Sequence, residues 1–143
     1  MKIIYYAALA LGFLISPVRA ELKIDVNGAM REPMPIAFPQ MSGSGEAASY
    51  GERIREVVIA DRSGLFRIIP EDSYIQTFTS IDELPRFTDW KALNAAALIQ
   101  SAISEIDAAN LRVEFRLWDV YSEEQMKGQS FTTTKDNWRR VAH

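Results

Sequence analysis

The sequence predicts a mixed α/β (α+β) fold in which a mixed sheet of about five strands is packed by two main helices. Residues 111–120 alternate between apolar and polar side chains, which is typical of a half-buried strand. Further short strand-like stretches flank an amphipathic segment that begins near Gly45. The last residues, around Trp138, fit the start of another helix that stops after about two turns. We therefore expect the last helix to be truncated.

The chain begins with an apolar leader. Residues 3–15 are uncharged and mostly apolar, and the small residue Ala20 follows soon after them. This run is shorter than the roughly 18 residues of a membrane-spanning helix and is typical of a secretory signal peptide. We expect residues 1–20 to be a signal peptide that is cleaved between Ala20 and Glu21. Residues 21–143 would then form one exported domain, with no stable membrane insertion after cleavage.

Composition argues against several classes of function. Lys2 and Arg19 are two of the 16 basic residues, against 19 acidic ones, so the exported part carries a net charge of −5. It has no basic patch for nucleic acid. The chain has no cysteine, which excludes disulfides and a thiol for lipid attachment. An ordinary apolar core must therefore hold the domain together.

The first half of the chain combines short strands with one helix. Residues 22–26 alternate as a strand that ends at the turn signal Asn27-Gly28. Residues 35–39 predict a second strand, which its terminal prolines confine to a sheet edge or a strand end. An amphipathic helix runs from about residue 45 to Ser63, and residues 65–69 predict the next strand.

Residues 90–106 allow two interpretations. They contain good helix formers, so propensity would permit one helix through the whole stretch. Alternation instead favours a short helix over residues 89–94 and a strand over residues 97–106, which would pair with residues 111–120. We prefer the second interpretation.

The chain is predicted to end with a hairpin and a helix. A break centred on Gly128 precedes residues 129–133, which are rich in β-branched and aromatic side chains and predict the returning strand. Thr134 or Asp136 could cap the final helix. Its first apolar residues, Trp138, Val141 and Ala142, have helical spacing.

One glycine motif matches a dinucleotide-binding pattern. Its residues are Gly43, Ser44, Gly45, Glu46, Ala47 and Ala48, which fit G-x-G-x-x-A at the start of the predicted helix. Backbone N–H groups there could hold a pyrophosphate while Asp61 holds a ribose hydroxyl. However, Asp61 lies at the end of the same helix rather than after a second strand. A flexible loop with a helix cap is the favoured interpretation, and a small nucleotide-binding domain is the alternative.

Patterns for catalysis and metal binding are missing from the sequence. The only histidine, His143, is the last residue, where it cannot be held in place as a base. Asp119, Glu123 and Glu124 do not follow a calcium-loop spacing, and there is no His or Cys cluster for zinc. We therefore predict a protein that is not an enzyme and that has no metal or cofactor.

Several segments together resemble a known family. They are ELKIDVNGA, PMPIAFPQ, IADRSGLFRII, FTDWKALNAAALI and, above all, FRLWDVYSEEQMKGQSFTTTKDNWRRVAH. Their order and spacing resemble the amino-terminal domain of the periplasmic translocation protein TolB, over essentially the whole chain. The resemblance implies a periplasmic location, a mixed sheet packed by helices, and a role in the Tol-Pal system. That system serves outer-membrane integrity, cell division and protein import.

The resemblance also implies partners. In the family, the extreme N-terminus of the exported protein contacts TolA, which is anchored in the inner membrane. By position, that segment consists of Glu21, Leu22, Lys23, Ile24, Asp25, Val26 and Asn27. Family members continue into a six-bladed β-propeller that binds the lipoprotein Pal, so we expect this chain to stop before the propeller and not to bind Pal. A non-functional fragment of a split gene is a further alternative.

Overall fold

The computed structural model describes residues 32–60 and 64–143. In chain order these residues form β1 (Met34–Ala37), α1 (Gly45–Ile59), β2 (Phe66–Ile68), a 3-10 turn (Glu71–Ser73), α2 (Phe87–Ala92), β3 (Ala97–Glu105), β4 (Asn110–Asp119), β5 (Glu124–Thr134) and a C-terminal 3-10 helix (Lys135–Val141). The strands make one sheet in the order β2-β1-β3-β4-β5. The predicted mixed fold is confirmed, as is the strand β3 in place of a continued helix. The strand predicted over residues 22–26 lies outside the described residues.

Two kinds of connection build the sheet. β1 is parallel to both β2 and β3, and α1 provides the crossover from β1 to β2. β3, β4 and β5 follow as two antiparallel hairpins. In the first hairpin the Asp107 carboxylate accepts hydrogen bonds from the backbone N–H groups of Ala109 and Asn110, at 2.8 and 2.9 Å. The sheet therefore joins a βαβ unit to a three-stranded meander.

Both faces of the sheet are covered. The helix face carries α1 and the C-terminal 3-10 helix, and its core cluster is Phe38, Met41, Ala47, Ile54, Ile103, Leu111 and Val113. The loop face carries α2 and residues 70–86, and its cluster is Ala37, Ile69, Phe78, Phe87, Trp90, Ala95, Leu98, Trp118 and Val120. Because successive strand residues point to opposite faces, β3 directs Gln100 to the loop face and the next residue, Ser101, to the helix face.

A fully buried glutamine on β3 holds the middle of the loop 70–86. The Gln100 side-chain oxygen accepts a hydrogen bond from Trp118 Nε1 at 3.0 Å. Its amide nitrogen donates to the backbone carbonyls of Ser80 and Glu83, at 3.3 and 2.7 Å. A buried polar group without a partner is costly, so one amide satisfies an indole and two loop carbonyls together.

A second buried glutamine holds the end of the loop 70–86. Gln76 lies within the loop, and its side-chain oxygen accepts hydrogen bonds from Trp90 Nε1 at 3.1 Å and from the backbone N–H of Arg86 at 2.7 Å. Its amide nitrogen donates to the Leu84 carbonyl at 3.3 Å. Each of these two buried tryptophans therefore has a glutamine as its acceptor.

Arg55 and Tyr74 close the carboxyl end of β1. Arg55 on α1 is buried, donates from Nε to the Phe38 carbonyl at 2.8 Å, and pairs with Glu71 at 3.0 Å. The Tyr74 hydroxyl accepts from the Phe38 backbone N–H at 2.9 Å and donates to the Ile69 carbonyl at 2.8 Å. Burial raises the pKa of this hydroxyl. These two side chains join α1, β1 and the chain that follows β2.

The final helix begins where the sequence predicts one, but it is a 3-10 helix with a kink at Asn137 rather than an α-helix. Its apolar residues Trp138, Val141 and Ala142 are partly buried against the helix-face cluster. This packing stabilises an element that is too short to form alone.

Lys135 fastens the start of the C-terminal 3-10 helix to the rest of the domain. Its Nζ lies 2.6 Å from Glu46 in the first turn of α1 and 2.7 Å from Glu105 at the end of β3. The hydrogen bonds that Lys135 donates to the Glu105 and Glu46 carboxylates raise its pKa. Three elements that are distant in sequence meet at this amine.

β5 is longer than the sequence predicts. It begins at Glu124 and pairs with β4, so the chain reverses after Asp119 and not at Gly128. Gly128 lies inside the strand, opposite Arg116. A Cβ atom on Gly128 would lie 2.9 Å from the side-chain nitrogen of Gln125. The predicted break at Gly128 is therefore wrong, because the residues on both sides of this glycine pair with β4.

We expect Gln100→Leu to lower the free energy of unfolding by about 3 kcal/mol, because leucine leaves the buried Trp118 N–H and the Glu83 carbonyl without this partner and removes one of the two donors to the Ser80 carbonyl. Urea unfolding followed by tryptophan fluorescence measures this loss.

Ser101→Ala is the matched control at the next position of β3. Within the part of the chain that the structure describes, Ser101 Oγ is the buried side-chain atom that lacks a hydrogen-bond partner. Its removal should leave the free energy of unfolding unchanged or raise it by about 1 kcal/mol. Equal losses in both variants would contradict a specific role for the Gln100 amide.

We expect Tyr74→Phe to lower the free energy of unfolding by about 1–3 kcal/mol at neutral pH, because it leaves the Phe38 N–H and the Ile69 carbonyl unpaired. The hydroxyl also has a raised pKa in the fold, so its contribution is complete below the ordinary tyrosine pKa of about 10 and is lost as the pH rises above it. Unfolding curves between neutral pH and about pH 11 should therefore converge for the two proteins. A difference that stays constant over this range would contradict the role of Tyr74 ionisation.

Candidate functional site

The residues predicted to bind a partner lie outside the described residues. They are Glu21, Leu22, Lys23, Ile24, Asp25, Val26 and Asn27, and the predicted cleavage site between Ala20 and Glu21 also lies there. The described chain starts at Glu32 and enters β1 two residues later. Met34 and Phe66 are register partners at this end of β1 and β2, and they are 46% and 50% exposed. The chain therefore enters the domain beside an exposed apolar pair and one edge of the sheet.

The glycine motif at residues 43–48 opens α1, as the sequence predicts, but it does not follow a strand directly. Residues 38–44 separate β1 from α1, and Ser42 forms a parallel bridge to β3 within that stretch. In dinucleotide-binding folds the glycine turn comes directly after the first strand. Asp61, the proposed ribose ligand, lies outside the described residues.

Both glycines of the motif have a structural reason to be there. A Cβ atom on Gly43 would approach the Ile103 carbonyl oxygen to 2.8 Å, so only glycine allows this close contact with β3. Gly45 has a φ of +60°, which other residues adopt at a cost. The fold accounts for this pair of glycines without a ligand.

A cleft of about 480 Å³ lies beside this loop at the carboxyl end of β1. Its lining residues are Pro39, Gln40, Met41, Ser42, Gly43, Glu71, Tyr74, Thr77, Phe78 and Thr79. Ligands of parallel α/β sheets commonly bind at such an end. Here Ser42 Oγ donates to the Phe78 carbonyl at 3.1 Å. Glu71 and Tyr74 are engaged by Arg55 and by backbone groups. Three of the polar side chains in the cleft thus serve the fold.

A second cavity, of about 430 Å³, lies between the end of β5 and the C-terminal 3-10 helix. It is lined by Asn110, Phe131, Thr132, Thr133, Thr134, Asn137, Arg140 and Val141. Among these described residues, Arg140 is the charged one. This cavity therefore combines the backbone of an edge strand with one positive charge.

Two aspartate side chains accept hydrogen bonds within turns. Hydrogen bonds from the Asn110 side chain and from backbone N–H groups lower the pKa of Asp107, and those from Ser122 and Tyr121 lower the pKa of Asp119.

Across residues 32–60 and 64–143, no group of three or more acidic or histidine side chains is arranged to hold a metal ion. Over the same ranges, none of the helices has the length and apolar character needed to cross a membrane.

Sequence reasoning missed three buried polar residues that line neither cavity but hold the structure around them. Gln76, Gln100 and Arg55 hold the loop face and the end of β1. Gln100 left one signal, since it is a large polar residue inside an otherwise mostly apolar strand. Arg55 left no such signal, because it lies among the charged residues of α1 and is buried only by tertiary contacts.

Comparison with known proteins identifies the relatives of this chain. A family model described as the TolB amino-terminal domain matches residues 22–126. The Tol-Pal system protein TolB of Paramagnetospirillum magneticum is 42% identical over 132 residues, which cover 90% of this chain and 30% of that protein. The chain therefore spans less than a third of the length of this relative.

Solved structures share the fold at low sequence identity. The crystal structure of TolB from Acinetobacter baumannii matches with a TM-score of 0.62 and 18% identity, covering 78% of this chain and 26% of that chain. PelC from Paraburkholderia phytofirmans, a dodecamer, matches with a TM-score of 0.50 and 16% identity, covering 78% of this chain and 81% of that chain. The matched family model and the curated relative together show that this chain belongs to the TolB amino-terminal domain family.

Proposed function

We propose that this chain is a non-enzymatic interaction domain of the Tol-Pal cell-envelope system and that it works in the periplasm. The observation that carries the proposal is the family match over residues 22–126, together with the 42% identity to a Tol-Pal system protein. Because the chain covers 30% of that relative, the proposal concerns the role of this domain. That role is to contact a partner protein in support of outer-membrane integrity, cell division and protein import.

The proposed partner is a TolA-like inner-membrane protein, and residues 21–27 are the proposed contact. In an extended conformation Leu22, Ile24 and Val26 lie on one side, and Lys23 and Asp25 on the other. Such a segment near a chain terminus can add to the exposed edge of a partner sheet, where main-chain hydrogen bonds give affinity and alternate side chains fill pockets.

The position of the first strand limits where this partner can sit. Five residue steps lead from Asn27 to Glu32, where the described chain begins, and they span at most about 17 Å. Asn27, the proposed contact residue nearest the domain, is therefore within reach of the start of β1. The exposed Met34 and Phe66 are at the same end of the sheet and offer apolar surface to the partner.

The way the domain uses its polar side chains supports a non-enzymatic role. The buried Gln76, Gln100 and Arg55 and the half-buried Tyr74 all pair with groups of the protein itself. A general acid or base needs a side chain that is directed at a substrate within hydrogen-bond reach. These four side chains are instead committed to holding the loop face and the end of β1.

We expect Ile24→Asp to weaken binding of purified TolA-like protein from the same organism by about tenfold to a hundredfold, measured by titration calorimetry. An isoleucine side chain buried in a contact contributes about 1.5–3 kcal/mol, and every 1.4 kcal/mol is about tenfold in affinity. Lys23→Gln is the control, because that residue lies on the opposite side of the extended segment and should change binding about twofold at most.

Two results would overturn this assignment. Unchanged binding after deletion of residues 22–26 would show that the contact lies elsewhere. A folded chain that fails to bind, beside a longer relative that binds under the same conditions, would favour the alternative of a non-functional fragment.

Export can be tested by mass. We expect the chain recovered from the periplasmic fraction to begin at Glu21, because the apolar leader and Ala20 fit a cleaved signal peptide. Intact-mass spectrometry measures the start residue. An uncleaved chain recovered with the inner membrane would contradict both the cleavage site and the proposed location.

A further inference from the structure

We propose that the free edge of β5 is a second binding site, at which an extended acidic segment of a partner protein adds to the sheet as a sixth strand. The site consists of residues 128–134 and the cavity beside the C-terminal 3-10 helix. It is separate from residues 21–27, so either site can fail without the other.

The strand register shows which backbone groups are available. The Lys135 N–H donates to the Ala109 carbonyl at 2.9 Å, and the adjacent pair is Asn110 with Thr134. Hydrogen-bonded and non-bonded pairs alternate along an antiparallel ladder. The odd-numbered residues 129, 131 and 133 therefore bond to β4. The even-numbered Gly128, Ser130 and Thr132 direct their N–H and C=O groups away from the sheet.

These outward groups are free in the part of the chain that the structure describes, because no described residue bonds to them. Proteins usually blunt such an edge with charges, proline or a very short strand. β2, at the other edge, has three residues, whereas β5 has eleven. Residues 128–134 contain neither a charge nor a proline. The long edge is thus left open to pairing where the short one is not.

The cavity at the end of β5 extends this edge. The four consecutive residues 131–134 all line it, together with Asn137, Arg140 and Val141 of the C-terminal 3-10 helix. An added strand would therefore run along β5 and direct alternate side chains over the C-terminal 3-10 helix, where Arg140 lines the same cavity.

Charge determines which segment fits. Arg140 is exposed, and no acidic residue lines the cavity with it among the described residues. The nearby Lys135 is already paired with two carboxylates, and Arg139 lies over the Trp138 ring at 5.3 Å. Arg140 is left to attract an acidic side chain of the added strand. The occupant is therefore an extended segment with acidic residues at alternating positions.

A second copy of the chain fits this edge less well. The β5 strand of a second copy offers one acidic residue, Glu124 at its first position, and no alternating acids along the strand. An acidic segment of a different protein satisfies both the backbone edge and the charge.

The test uses the purified chain and a fluorescein-labelled heptapeptide of alternating valine and aspartate with blocked ends. Fluorescence anisotropy should show binding with a dissociation constant below about 1 mM. The same peptide with lysine in place of aspartate should bind at least about tenfold more weakly. A form with an N-methyl group on every residue should not bind, because it cannot donate main-chain hydrogen bonds.

Matched variants of the chain separate charge from backbone pairing. Arg140→Glu should weaken binding by about tenfold. Arg139→Glu makes the same change of charge one residue earlier, outside the cavity lining, and should alter affinity by about twofold at most. Thr132→Pro removes an outward N–H without breaking the pairing with β4, so it should abolish binding while circular dichroism stays native.

Four results would overturn the proposal. They are no binding at about 1 mM peptide, equal binding of the lysine peptide, equal losses for Arg139→Glu and Arg140→Glu, and binding that survives Thr132→Pro. A chain that sediments as a dimer and becomes monomeric on Thr132→Pro would also overturn it, since the edge would then belong to a second copy.

Discussion

The pairing of two buried tryptophans with two buried glutamines is the constraint on which the loop face depends. That face is covered mainly by residues 70–86, which contain a single 3-10 turn. Irregular backbone cannot satisfy its own polar groups, and a buried group without a partner costs about as much as a lost hydrogen bond. Gln100 reaches across from the sheet, and Gln76 reaches from within the loop. The two amides thus allow an irregular segment to cover the loop face, whereas α1 and the C-terminal 3-10 helix cover the other face.

The hydrogen bonds that hold residues 70–86 also position one wall of the cleft at the end of β1. The loop carries Tyr74, whose hydroxyl hydrogen-bonds to the backbone of Phe38, just after β1, and of Ile69, just after β2. Arg55 completes the junction from α1. Because both are occupied in this way, the cleft is walled by groups that already have partners. For this reason the contacts that we propose lie at a strand edge and in the terminal segment rather than in this cleft.

Side-chain periodicity predicted most of the sheet, but it failed for residues whose role depends on tertiary contacts. Alternation located β4 and favoured β3, since both strands have one face in each core cluster. Gly128 misled because glycine often marks a turn in sequence, whereas here it lies inside β5 opposite Arg116. Gln100 and Arg55 could not be assigned, because their partners lie 17 to 20 residues away in sequence. Of the site, the terminal segment came from the family resemblance, and the open edge of β5 required the register.

The two edges of the sheet differ in a way that suits an adaptor. The terminal segment joins the domain at β1, beside the short edge strand β2, while β5 forms the opposite edge. Strands lie about 4.8 Å apart, so the two edges are separated by about 19 Å. In the two proposals, one partner binds the segment that leads into β1 and the other binds the free edge of β5. If both proposals hold, the domain links two proteins through main-chain pairing at opposite sides of one sheet, a role that requires no catalytic group.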